Sequence, residues 1–173
     1  MPRNHVGGQT QTRYDELIQL RDGERKRISH STVCVKGGEL PLEVNPQGLM
    51  KWYMHPNIQT TTHKFLIFYT QEIPPGSCSG KQKCQGGIVF VIVEGEGYTL
   101  LDGTRYDWKQ GDLFQVPIRD KGVAYQHFNA SSDRPALLIG AEPNLVASAG
   151  VDRGSGFEQI KPCPEYDATG DGI

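Results

Sequence analysis

From residue 30 onward the apolar positions come in short runs, broken by glycine, proline, asparagine and aspartate. That punctuation belongs to strands and turns. It predicts strands at 31–35, 50–54, 65–70, 88–93, 98–101, 113–116, 123–128 and 136–141. Asp102-Gly103 is the sharpest hairpin signal, because a two-residue type I′ turn needs positive φ at both positions. Gly95, Gly97 and Gly111 mark further tight turns. Short strands with turns at this spacing imply an all-β sandwich or closed barrel. Strand alternation puts Tyr125, His127 and Asn129 on one face, read as inward.

The N-terminal region follows another period. Tyr14, Leu17, Ile18 and Arg21 are spaced as on a helix, with Thr12 as N-cap and Asp22-Gly23 as the stop. The chain then divides into an arm with one short helix (1–29), the barrel (30–144) and a C-terminal extension (145–173). The extension is rich in glycine and proline and reads as a wrapping or partly disordered tail. No internal repeat is visible.

Composition narrows the function classes. A length of 173 residues suits one domain, and a net charge of −2 gives no footprint for nucleic acid or an anionic membrane. The basic cluster from Arg21 to Arg27 is interrupted by Asp22 and Glu24 and reads as a solvated helix end. No apolar run approaches the roughly 20 residues of a membrane span, and the polar stretch 1–14 has no signal-peptide core. Cys34, Cys78, Cys84 and Cys163 lack metal or redox spacing. The expectation is a cytoplasmic chain with reduced thiols.

Ile73-Pro74-Pro75-Gly76 through Asn129 resembles the two signature motifs of the cupin superfamily. Gly76 and Gly95 stand in register at the ends of the first, G-x5-H-x-H-x3/4-E-x6-G. Gly111, Pro117 and Asn129 fit the second, G-x5-P-x-G-x2-H-x3-N, with an insertion after Pro117. The resemblance implies a single cupin barrel, the double-stranded β-helix or jelly-roll fold. Its metal-ligand positions fall on Gln82, Cys84, Ile88 and Tyr125, all replaced, with His127 the one imidazole nearby.

A non-haem iron site needs about three nitrogen or carboxylate donors on one point. Gln82 is a weak neutral donor, Ile88 is none, and Tyr125 would have to ionise from a reference near ~10. The expectation is therefore no metal in this chain, with Cys84 and Ile88 as barrel core and Tyr125 and His127 hydrogen-bonded inside. Two alternatives stay open: a softer metal on Cys84 and His127, or a Cys84–Tyr125 thioether of the kind the cysteine-dioxygenase branch of cupins forms with another pair.

Lys51-Trp52-Tyr53-Met54-His55-Pro56, Gln126-His127-Phe128-Asn129 and Asp152-Arg153-Gly154-Ser155-Gly156-Phe157-Glu158 are similar to small cupins of aromatic degradation. Among these, the chain most resembles the small subunit of two-subunit hydroquinone 1,2-dioxygenases. The resemblance implies a larger cupin partner carrying Fe(II), an aromatic diol substrate and a hetero-oligomer, expected as a heterotetramer. Interface candidates are Tyr14, Leu17 and Ile18 on the helix, with Trp52, Tyr53, Trp108 and Phe157. His55 and His63 are the remaining acid–base groups, with His5 and His30 read as exposed N-terminal positions. Two other classes remain: a stand-alone metal-independent epimerase or cyclase using Tyr125 and His127, and a small-molecule-binding regulatory cupin.

Overall fold

In the computed structural model, which describes residues 11–61, 63–145 and 156–168, two antiparallel sheets face each other across an apolar interior. The strands are β1 Glu43–Asn45, β2 Gly48–Met54, β3 Leu66–Ile73, β4 Lys81–Cys84, β5 Ile88–Glu94, β6 Glu96–Leu101, β7 Thr104–Lys109, β8 Leu113–Val116, β9 Val123–Asn129, β10 Ala136–Pro143 and β11 Phe157–Lys161. One sheet runs β1-β2-β3-β10-β5-β8, the other β11-β4-β9-β6-β7. Alternation sets which face is buried: Ile88, Phe90 and Ile92 of β5 point inward, as do Val123, Tyr125, His127 and Asn129 of β9. No helix among the described residues is long and apolar enough to cross a membrane.

The turn chemistry works as its residues require. Asp102 and Gly103 take φ of 48° and 86°, the type I′ pair that joins β6 to β7. Asn129 closes the end of β9 by donating its side-chain amide to the carbonyls of Ile73, Pro74 and Arg134 at 3.0, 3.1 and 2.7 Å. The asparagine of the second motif is thus a structural staple.

Several expectations need correction. The 31–35 segment is not a strand, and Val33 is 96% exposed; it is an irregular link from the helix to a 3-10 turn at Gly37–Glu39. The helix, α1, spans Arg13–Ser29 and runs through Gly23. Glycine there costs about 1 kcal/mol. Thr12 and Asp15 form a capping box at its start. Near its end Arg27 pairs with Glu24 at 2.5 Å and donates to the carbonyls of Gln59 and Thr61. None of its described side chains is buried. Gly97 is no turn but lies inside β6, opposite Trp108. Past residue 144, β11 pairs with β4 and completes the second sheet. A short helix, α2 (Pro164–Asp167), follows; Cys163 N–H donates to Pro46 carbonyl at 3.0 Å, and Ser77 donates to Glu165.

The close approach at Gly97 yields a test. A Cβ there would collide with the Phe128 carbonyl and lie 2.5 Å from the Trp108 ring. Gly97→Ala should lower stability by about 1–3 kcal/mol in urea unfolding, as overpacking does.

Candidate functional site

Gln82, Cys84, Ile88 and Tyr125 are all buried in the interior, and Gln82 and Tyr125 bond to each other. β4 and β9 pair so that Gln82 lies opposite Tyr125 and Cys84 opposite Val123. Tyr125 hydroxyl donates to Gln82 Oε1, and Gln82 Nε2 donates to Gln159 Oε1 on β11 at 3.3 Å. Cys84 accepts the Gly86 backbone N–H at 3.3 Å. Ile88 is 2% exposed and presents only methyl groups.

Aromatic rings fill the remaining space. From the barrel mouth inward, His55 meets Trp52 at 5.4 Å between centroids, Trp52 meets Tyr69 at 5.3 Å, and Tyr69 meets Phe90 at 6.4 Å. Phe90 then contacts Tyr125 at 5.9 Å and His127 at 4.4 Å. These are tilted and edge-to-face contacts of the favourable kind. Gly140 makes room for this column, because a Cβ there would lie 2.5 Å from the Tyr69 ring.

His127 sits at the inner end. Trp108 Nε1–H donates to Thr99 Oγ1 at 2.9 Å, and Thr99 Oγ1 is hydrogen-bonded to His127 Nδ1 at 2.7 Å. His127 Nε2 is buried without a hydrogen-bond partner, and the ring faces Phe90, Phe114 and Tyr125. Burial drives His127 down from 6.5 to about 3, so the imidazole is neutral. Burial pushes Tyr125 well above 10, with nearby Tyr69, Glu142 and Cys84 adding to the effect. Cys84 is raised from 9, first by burial.

This donor set does not fit iron. The amide oxygen of Gln82 is engaged by Tyr125, Ile88 has no donor atom, and the phenol and thiol are held protonated. Among the described residues no group of three His, Cys, Asp or Glu side chains converges.

Above the column a cavity of about 460 Å³ opens at the mouth, lined by Trp52, His55, Ile67, Glu142, Phe157 and Gln159 with the β1–β2 turn. His55 Nδ1 accepts the Asn57 N–H at 3.2 Å. Of the interface candidates, Trp52 and Phe157 belong to this mouth. Tyr53 packs edge-on to Phe68 on the opposite face of the sheet. Tyr14 and Leu17 are 69% and 65% exposed, and Ile18 is half-buried. Trp108 is the correction: it is 5% exposed, and its indole is spent on Thr99. His63 stacks on Phe65, His30 is exposed at the helix end, and His5 lies outside the described residues. Sequence reading missed Tyr69, Thr99, Glu142 and Gln159. Tyr69 and Thr99 lay within predicted strands at inward phase, whereas nothing local marks Gln159.

The geometry is that of a cupin, and the solved structures agree. A cupin-like protein from Thermotoga maritima superposes with a TM-score of 0.53 at 18% identity, covering 83% of this chain and all of its own. Salicylate 1,2-dioxygenase from Pseudoaminobacter salicylatoxidans, solved with gentisate, superposes with a TM-score of 0.54 at 16% identity, over 85% of this chain and 34% of that one. The fold is therefore a cupin fold. In sequence, the chain is 27% identical over 126 residues to 5-aminosalicylate 1,2-dioxygenase from Comamonas sp., which is 70% of this chain but 33% of that enzyme. The chain thus resembles ring-cleaving dioxygenases distantly and spans about a third of the length of the one it matches. No family model matches it.

Two outcomes test the interior. Tyr125→Phe strands the Gln82 oxygen and should cost about 1–3 kcal/mol, much of it recovered when Gln82→Leu is added, as read by urea unfolding. The second concerns acid. The unfolded chain takes up a proton at His127 near pH 6.5 that the folded chain refuses until about 3. Stability should be full above pH 6.5 and fall as pH drops through this window, and His127→Asn should flatten the slope between pH 6.5 and 4.5.

Proposed function

We propose that this chain is the metal-free small subunit of an Fe(II)-dependent dioxygenase that opens a hydroxylated aromatic ring. The reaction would be conversion of hydroquinone to 4-hydroxymuconic semialdehyde, with iron held by a larger cupin subunit. One observation carries the reading. A chain that resembles ring-cleaving dioxygenases has Gln82 and Tyr125 bonded to each other, and Gln82, Cys84, Ile88 and Tyr125 all packed as core. Such an interior is what this chain would carry if another chain supplied the metal chemistry. This chain's share is then to shape and shield the partner's pocket and to stabilise the assembly. Tyr14 and Leu17 on α1 have the exposure an interface needs.

A stand-alone epimerase or cyclase is disfavoured by the same geometry. A base at about 3 and a phenol well above 10 are both far from neutral, where general acid–base catalysis is most efficient. A small-molecule-binding role has one observation in its favour, the open mouth with Trp52 and Phe157 in its walls.

Purification from the native host and native mass spectrometry should find the chain in stoichiometric complex with a larger, iron-carrying cupin. A metal-free assembly of this chain alone would overturn the dioxygenase reading. Titration with hydroquinone would then be decisive for the second reading, since quenching of tryptophan fluorescence that Trp52→Phe abolishes would place a ligand in the mouth.

A further inference from the structure

The mouth cavity of about 460 Å³ has room for a small organic ligand, and the chemistry of its wall is one-sided. Two amides in that wall are engaged within the chain. Asn45 Oδ1 accepts the N–H groups of Gln47 and Gly48 at 2.9 and 3.3 Å, and its amide donates to Glu43 at 2.7 Å. Gln159 donates to the Lys161 carbonyl at 2.8 Å and accepts from Gln82 at 3.3 Å. The rings of Trp52, His55 and Phe157, the Ile67 side chain and the Glu142 carboxylate stand around the same space.

Strand phase places Glu142 there. Ala136, Leu138 and Gly140 are the buried positions of β10, and Glu142 follows in the same phase, half-buried and opposite Ile67 of β3. Its negative charge is felt in the interior, where it adds to the burial that raises Tyr69, Tyr125 and Cys84. Among the described residues that line the cavity there is no lysine or arginine. Aromatic rings such as Trp52 and Phe157 also offer a negative face to cations.

We propose that the mouth is a binding site for an organic cation, an ammonium group carried on a flat apolar body. The ammonium group donates to the Glu142 carboxylate, and the body packs on Trp52, Phe157 and Ile67. A carboxylate has about four acceptor positions, so Glu142 can serve a ligand beside the bonds it makes within the chain. Aromatic acids are repelled by the same wall. The inference rests on the small-molecule reading of the mouth and is independent of the dioxygenase reading.

Isothermal titration of the purified full chain with phenethylamine, 3-phenylpropionate and hydroquinone compares a cation, an anion and a neutral molecule, each built on one ring. Phenethylamine should bind at least tenfold more tightly than 3-phenylpropionate. That contrast needs no variant, so a misfolded one does not spoil the test. Glu142→Gln keeps the shape and removes the charge; it should weaken phenethylamine about tenfold or more while far-UV circular dichroism stays unchanged. Equal affinity for the amine and the acid overturns the inference, as does a folded Glu142→Gln chain that binds the amine unchanged. Binding of hydroquinone without phenethylamine overturns it too, and leaves the small-molecule reading standing. No binding by any of the three overturns both.

Discussion

The phenol of Tyr125 hydrogen-bonded to the amide of Gln82 ties the two strands that, in a metal-binding cupin, would converge on the ion. Both groups are buried, so each supplies the bond the other needs, and neither is left to a ligand. Around that bond the rings of Tyr69, Phe90 and His127 pack edge to face and fill the barrel. Gly140 is bare because the Tyr69 ring lies against it, and Gly97 is bare because Trp108 must reach Thr99. The interior behaves as one packed unit, in which a change at the centre is felt at several strands.

The same packing sets the electrostatics. In a low-dielectric interior a lone charge is costly, and each titratable group is held in its neutral form: Tyr125 and Tyr69 raised, Cys84 raised, His127 lowered. His127 keeps an unbonded Nε2 and remains tolerable because it is neutral and ringed by aromatic faces. Among the described residues, Cys84, Tyr125 and His127 at the barrel's centre are all shifted away from neutrality. What the fold leaves accessible is its mouth, its helix and its outer sheet.

How much was legible in the sequence varied by region. The turns and central strands were readable, since Asp102-Gly103 and the apolar alternation of 88–93 and 123–128 are local signals. The positions that the motif resemblance marks from Gly76, Gly95, Gly111 and Asn129, namely Gln82, Cys84, Ile88 and Tyr125, are all buried in the structure. β4 and β11 were not readable, because Lys81–Cys84 and Phe157–Lys161 carry charged residues and become strands through long-range pairing, β4 with β9 and β11 with β4. Gly23 was read as a stop; the helix continues because Arg27 is anchored on Glu24 and on the 59–61 loop.

By itself, then, the sequence determined the fold class and the inward phase of the strands. These depend on side-chain type and on spacing of two along a strand. Only the tertiary structure decided that Tyr125 is spent on Gln82, that Trp108 is buried, and that a cavity survives above the aromatic column. Each of those depends on register between strands distant in the chain, and register is set by packing of the whole barrel rather than by any local pattern.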